Sequence, residues 1–177
     1  MDNDSTTPEE AAKISASWRI DPDVLQQRLV DGLAERGVDT AGLTWLSSEE
    51  TDSVVQHWMD LGAQRYGHLA LIPLPNSNVH RGDFDDGELP PWLDTASRSR
   101  KVFVSFSRPA GGRRRIASGE FGFVIDNLAS LARSDGDGFA ALTSGLEGVL
   151  LVNVDNNLGD SRLEIDAWGE FILGHLV

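Results

Sequence analysis

Residues 149 to 166 read VLLVNVDNNLGDSRLEID, and the fold of the chain follows from how that stretch is parsed. Val149 to Val154 is almost continuously apolar, the pattern of a strand covered on both faces. Asp155 to Asp160 is crowded with Asp, Asn and Gly, whose local hydrogen bonding and conformational freedom favour turns. Arg162-Leu163-Glu164-Ile165-Asp166 then alternates with the period of two expected of a half-exposed strand. Together the three pieces predict an antiparallel hairpin.

On the C-terminal side, Trp168, Phe171, Ile172 and Leu176 are spaced for a short terminal helix, although Gly169 and Gly174 disfavour one. On the N-terminal side, Phe139 to Leu146 reads as a short helix. Ser118 reads as the cap of a longer helix whose Phe121, Val124, Ile125, Leu128, Leu131 and Ala132 trace one buried stripe, ending at Ser134-Asp135-Gly136-Asp137-Gly138. Val102, Val104 and Phe106 share one face of a strand over 101 to 107. Arg108-Pro109-Ala110-Gly111-Gly112 supplies turn chemistry, and Arg113 to Ala117 returns as the second arm. Residues 73 to 97, rich in Pro, Gly and Asp, form the longest irregular segment, after a short apolar strand at Leu69 to Ile72.

The N-terminal third has a helical pattern. Thr7 and Glu10 fit a capping box with Pro8 at the first helical position, and Ala11, Ile14 and Trp18 share the face that follows. Asp21-Pro22 opens a second helix, which carries Leu25, Leu29 and Leu33 and stops at Gly37. Residues 38 to 46 connect it, through the apolar anchors Leu43 and Trp45, to a second capping box at Ser47 and Glu50 ahead of Val54, Val55, Trp58 and Met59. The expected fold is therefore α+β, a mostly antiparallel sheet packed against several helices, with the N-terminal part helical. Residues 1–7 are expected to be a disordered tail and residues 8–177 a single α+β domain, a length that buries a core without staples.

Cysteine is absent, which excludes disulfides and thiolate chemistry. The polar start lacks a signal-peptide pattern and no run approaches membrane-spanning length, so a soluble cytoplasmic protein with no membrane partner is expected. The net charge of −13 disfavours nucleic acid and suits a basic protein partner. Against that background, residues 98 to 115 hold seven of the fifteen basic side chains and no acidic one.

No catalytic motif stands out. Arg108, Arg113, Arg114 and Arg115, beside the N–H groups of Gly111 and Gly112, are candidate anion ligands, although the segment is not a P-loop. Pairing of these arginines with the acidic residues at 83 to 94, or with another subunit, competes with that reading. His57, His68, His80 and His175 form no metal-binding pair, and His68 or His80 would serve in proton transfer only if Asp83 or Asp85 were brought to it. Asp135 with Asp137, and Asp155 with Asn157 and Asp160, depart from the EF-hand series and read as turns, so neither a metal nor a cofactor is expected. Ser118-Gly119 and Ser144-Gly145 lack the upstream glycine of a nucleophile elbow.

The leading expectation is a non-enzymatic acidic protein-binding module, of the inhibitor or immunity type, that neutralises a basic partner. Its acidic contact surface would be Asp83, Asp85, Asp86 and Glu88. Trp92 would either anchor the partner or pin the segment to the core. The alternatives are an enzyme acting on a phosphate-containing small ligand through Arg108–Arg115, with His80 or a neighbouring Asp for proton transfer, and a homo-oligomeric structural protein whose basic tip meets the acidic segment of another subunit.

Overall fold

A computed structural model describes residues 22–66, 79–106, 115–134, 138–155 and 162–173. In chain order these hold α1 (Pro22–Glu35), a short 3-10 turn (Thr40–Gly42), β1 (Leu43–Trp45), α2 (Ser48–Tyr66), β2 (His80–Phe84), β3 (Lys101–Phe106), β4 (Arg115–Glu120), α3 (Phe121–Asp126), α4 (Leu128–Ser134), β5 (Phe139–Leu142), β6 (Gly148–Asp155) and β7 (Arg162–Gly169). The seven strands form one antiparallel sheet in the order β1-β4-β3-β5-β6-β7-β2, so the fold is the α+β class expected.

The hairpin at 149 to 166 forms as its pattern requires. β6 and β7 pair from Gly148 with Gly169 to Asp155 with Arg162, and the inward residues Leu163, Ile165 and Ala167 are fully buried. Because side chains alternate across a strand, register divides the sheet into two faces. One carries Val102, Val104, Phe106, Ala141, Leu150 and Val152, all buried. It also carries Arg115, which bonds Asp23 of α1, so α1 lies over this side. The other carries Phe103, which meets Trp58 of α2 edge-on with ring centroids 5.8 Å apart. Helices α1 and α2 therefore cover opposite faces.

Helix ends follow local chemistry. Gly37, at φ +75°, closes α1 with paired bonds from Gly37 N–H to Ala34 O and from Val38 N–H to Leu33 O, the Schellman arrangement that a left-handed glycine permits. At α2 the capping box is reciprocal: Ser47 N–H donates to Glu50 Oε2 at 2.8 Å, and Glu50 N–H donates to Ser47 Oγ at 3.2 Å.

Five expectations are corrected. Ser118 caps no helix; it sits in β4 opposite Phe103, and α3 starts after Glu120 with no side-chain cap. The first amides of α3 are taken instead by the loop before β3, Phe121 N–H on Arg100 O and Gly122 N–H on Arg98 O, each 2.8 Å. The stripe from Phe121 to Ala132 is buried as expected, but Asn127 divides it into two helices. Phe139 to Leu142 is the strand β5 between β3 and β6, where pairing on both sides overrides the helical propensity of its alanines. Trp168 ends in β7 opposite Val149, and Glu170 to Leu173 is a turn bridged to Leu93 through Ile172, not a terminal helix. Finally, β1 and β2 lie inside stretches read as irregular. The N-terminal tail, the helix at 8 to 18 and the strand at 69 to 72 lie outside the described residues, as do Asp135, Asp137 and the turn at 156 to 160.

Candidate functional site at the acidic segment

Residues 83 to 94 run from the exposed edge strand β2 back to the core. Asp83 lies near the end of the strand, opposite Glu164 of β7. A tight turn follows, in which Glu88 N–H bonds Asp85 O at 3.0 Å and Gly87 takes φ +88°, a value that favours glycine at the third position of such turns. A second turn, from Pro90 O to Leu93 N–H, brings Leu93 into a bridge with Ile172. Asp94 N–H and Trp92 O bond the backbone of Phe171 and Leu173, at 2.8 and 2.9 Å. The segment is thus pinned at both ends while its tip faces solvent.

The carboxylates divide into two kinds. Asp85 bonds Arg162 at 3.0 Å, and Asp86 holds Arg133 through two bonds of 2.6 and 3.1 Å; both carboxylates nevertheless stay exposed, at 64 % and 52 %. Asp83 and Glu88 are exposed and carry no ion pair within 4.0 Å among the described residues. Trp92 is half-buried, its ring 5.5 Å from His80 and 6.2 Å from Phe84 between centroids, so it holds the segment against β2. Beside the tip lies a groove of about 410 Å³, bounded by Gly87 to Leu89, Thr95, Arg98 and the junction of α3 and α4. Arg98 is paired there with Asp126.

Of the candidate anion ligands, Arg115 is 3 % exposed and bonds Asp23 Oδ1 at 2.6 Å and Leu46 O, an inward-facing role. Arg108, Arg113 and Arg114 lie outside the described residues. The acidic segment takes its arginines from α4 and β7, a pairing that sequence spacing did not indicate. His80 and Asp83 share β2 but point to opposite faces by alternation, and His57 is exposed on α2. His68 and His175 lie outside the described residues. Among the described residues, no three acidic or histidine side chains are grouped to hold a metal ion.

Two features were missed by sequence reasoning. Asp166, 4 % exposed on β7, accepts two bonds from Arg81 of β2 at 2.6 and 2.7 Å. Those bonds and the charge of Asp166 raise the Arg81 pKa further, so the guanidinium stays cationic. The alternation of Arg162, Glu164 and Asp166 placed these groups on one face but named no partner. Glu49, Asp52 and Asp60 also line the outer side of α2 with Gln56 and His57, around a broad, shallow concavity. Their recurrence at helical intervals was visible in the sequence as one helical face.

The chain matches no protein-family model, and neither curated proteins nor solved structures give a significant match.

Proposed function

We propose that the chain is a non-enzymatic, acidic protein-binding module, of the inhibitor or immunity type, acting in the cytoplasm on a basic protein. Its contact surface is Asp83, Asp85, Asp86 and Glu88, with Trp92 fixing the segment from behind. The observation that carries this reading is the combination of exposed carboxylates and a pinned backbone. A surface already ordered before encounter loses little conformational entropy on binding. Exposed charge of one sign also steers an oppositely charged partner to it. The ion pairs from Arg162 and Arg133 fit the same reading, since they fix Asp85 and Asp86 without hiding them. No helix among the described residues is long and apolar enough to cross a membrane.

The test is affinity capture with the full chain as bait, in low salt and at about 0.15 M salt, where exposed charges are screened beyond about 8 Å. The control bait carries Asp83→Asn, Asp85→Asn, Asp86→Asn and Glu88→Gln. A basic protein retained by the wild type and lost by the control is expected. Recovery of no partner at either salt, or equal recovery by the control, overturns the reading.

A further inference from the structure

β2 is the last strand of the sheet and pairs only with β7 among the described residues. Its residues are exposed or half-buried along their whole length, so its outer edge presents backbone groups to a further strand. The opposite edge, β1, is three residues long and its Leu43 is buried, so it offers less. From the edge of β2 we infer that the chain forms a two-fold symmetric dimer in which β2 pairs antiparallel with β2 of a second copy, joining the two sheets. This does not rest on the binding function proposed above.

The sequence of β2, His80-Arg81-Gly82-Asp83-Phe84, is complementary to itself about Gly82. Outward backbone groups belong to alternate residues of the strand. Two copies can therefore pair only in registers whose facing residue numbers differ by an even count. Centring the pair on Arg81 sets arginine against arginine; centring it on Asp83 sets aspartate against aspartate. Centring it on Gly82 sets Arg81 against Asp83 twice, and His80 against Phe84 twice. Opposite charges and aromatic pairs facing across strands are stabilising, and like charges facing are not. Charges on an edge strand ordinarily block association; here their order selects one register.

Three local features fit that register. Asp83 already faces Glu164 within its own sheet; Glu164 has its own chain's Arg81 at 3.7 Å, whereas Asp83 has no ion pair among the described residues and would gain one from the guanidinium of the second copy. Arg81 remains 61 % exposed although it bonds Asp166 and lies 3.7 Å from Glu164, so its guanidinium stays open to a further carboxylate. A Cβ at Gly82 would stand 2.7 Å from the Phe84 ring, so the bare glycine is what lets that ring lie over the central position of the pair. Leu173, 54 % exposed and bonded through its amide to Trp92 O, adds an apolar flank beside the aromatic cluster. A five-residue edge buries modest area, so the dimer belongs to the weak, reversible class.

The experiment is sedimentation equilibrium of the full chain over a concentration series, paired with hydrogen exchange of the amides at 80 to 84. The wild type is expected to rise reversibly toward twice the monomer mass, with slower exchange in β2 as it does. Asp83→Arg sets the introduced guanidinium against Arg81 of the other copy at both facing positions and weakens the dimer by about tenfold or more. Within its own chain the new side chain faces Glu164, which favours it, and replaces the attraction of Asp83 for Arg81 on the same strand face by repulsion, so the fold of the variant is checked alongside. A wild type that stays monomeric, or an Asp83→Arg variant that dimerises as tightly as the wild type, overturns the inference. If the variant does not fold, wild-type exchange decides: protection in β2 that does not change with concentration overturns it.

Discussion

Gly169 joins β7 to the turn that holds the end of the candidate site, and replacing it with alanine separates two costs. Its φ is +67°, and a Cβ there would fall well inside contact distance of Glu147 O, the carbonyl that accepts Glu170 N–H at 2.9 Å. Gly37 has a similar φ of +75°, but a Cβ there would meet nothing within 4 Å. The left-handed backbone costs an L residue about 1–2 kcal/mol, of which about 0.4–1 kcal/mol is offset by the stiffer unfolded chain. Gly37→Ala should therefore lose only about 0.5–1.5 kcal/mol. Gly169→Ala must in addition break a hydrogen bond of about 1 kcal/mol and force backbone apart, at about 1–3 kcal/mol. Its total is about 2.5–5.5 kcal/mol, or a Tm lower by roughly 5–22 °C for a chain of this length. Urea denaturation followed by tryptophan fluorescence measures both variants. Exchange of the Asp94 and Leu173 amides should also speed up in Gly169→Ala, because the turn after Gly169 holds the end of the acidic segment. Equal losses in the two variants would refute the steric account.

The capping box of α2 gives a pH-dependent prediction. Hydrogen bonds from the Ser47 amide, and then the Ser47 side chain, lower the Glu50 pKa below its ordinary 4.5. The stability Glu50 contributes is therefore complete above that value and is lost as the pH falls through the lowered pKa. Urea melts should show wild type exceeding Glu50→Gln at neutral pH and converging with it in acid; a gap that survives in strong acid would rule out the carboxylate as its source. Ser47→Ala should cost about 0.5–2 kcal/mol by the same measurement. The Ser105 hydroxyl is buried with no hydrogen-bond partner among the described residues, so Ser105→Ala should be neutral or stabilise by up to about 1 kcal/mol. A clear destabilisation would show that the hydroxyl is satisfied after all.

Legibility followed the range of the interactions. The hairpin of β6 and β7, the glycine stop of α1 and the capping box of α2 depend on neighbours in sequence, and periodicity or turn chemistry exposed all three. Where a partner came from far along the chain, the reading failed. The amides of α3 are capped by carbonyls of Arg98 and Arg100, so no capping residue marks its start. Phe139 to Leu142 is held as a strand by β3 and β6, against its alanine content. At the candidate site, the acidic residues were visible as a run. Their division into Asp85 and Asp86, which are anchored, and Asp83 and Glu88, which are not, depends on Arg162 and Arg133, 77 and 47 residues away.

The pairing of the arginines also changes how the chain's charge is presented. Arg98, Arg100 and Arg115, three members of the cationic run at 98 to 115, bond Asp126, Glu170 and Asp23 on other elements. Each such pair cancels one cation against one anion. Among the described residues, the surplus therefore resides on carboxylates that no arginine meets, among them Glu49, Asp52 and Asp60 on α2, and Asp83 and Glu88 at the candidate site. A basic partner approaching the acidic segment meets uncancelled charge at Asp83 and Glu88, while Asp85 and Asp86 are already paired with Arg162 and Arg133. Asp83 is where the two proposals meet. In the dimer it faces Arg81 of the second copy, so a partner that needs Asp83 competes with dimerisation. A partner that reads Glu88 and the exposed oxygens of Asp86 does not. The effect of bound partner on the mass of the complex consequently distinguishes which carboxylates that partner reads.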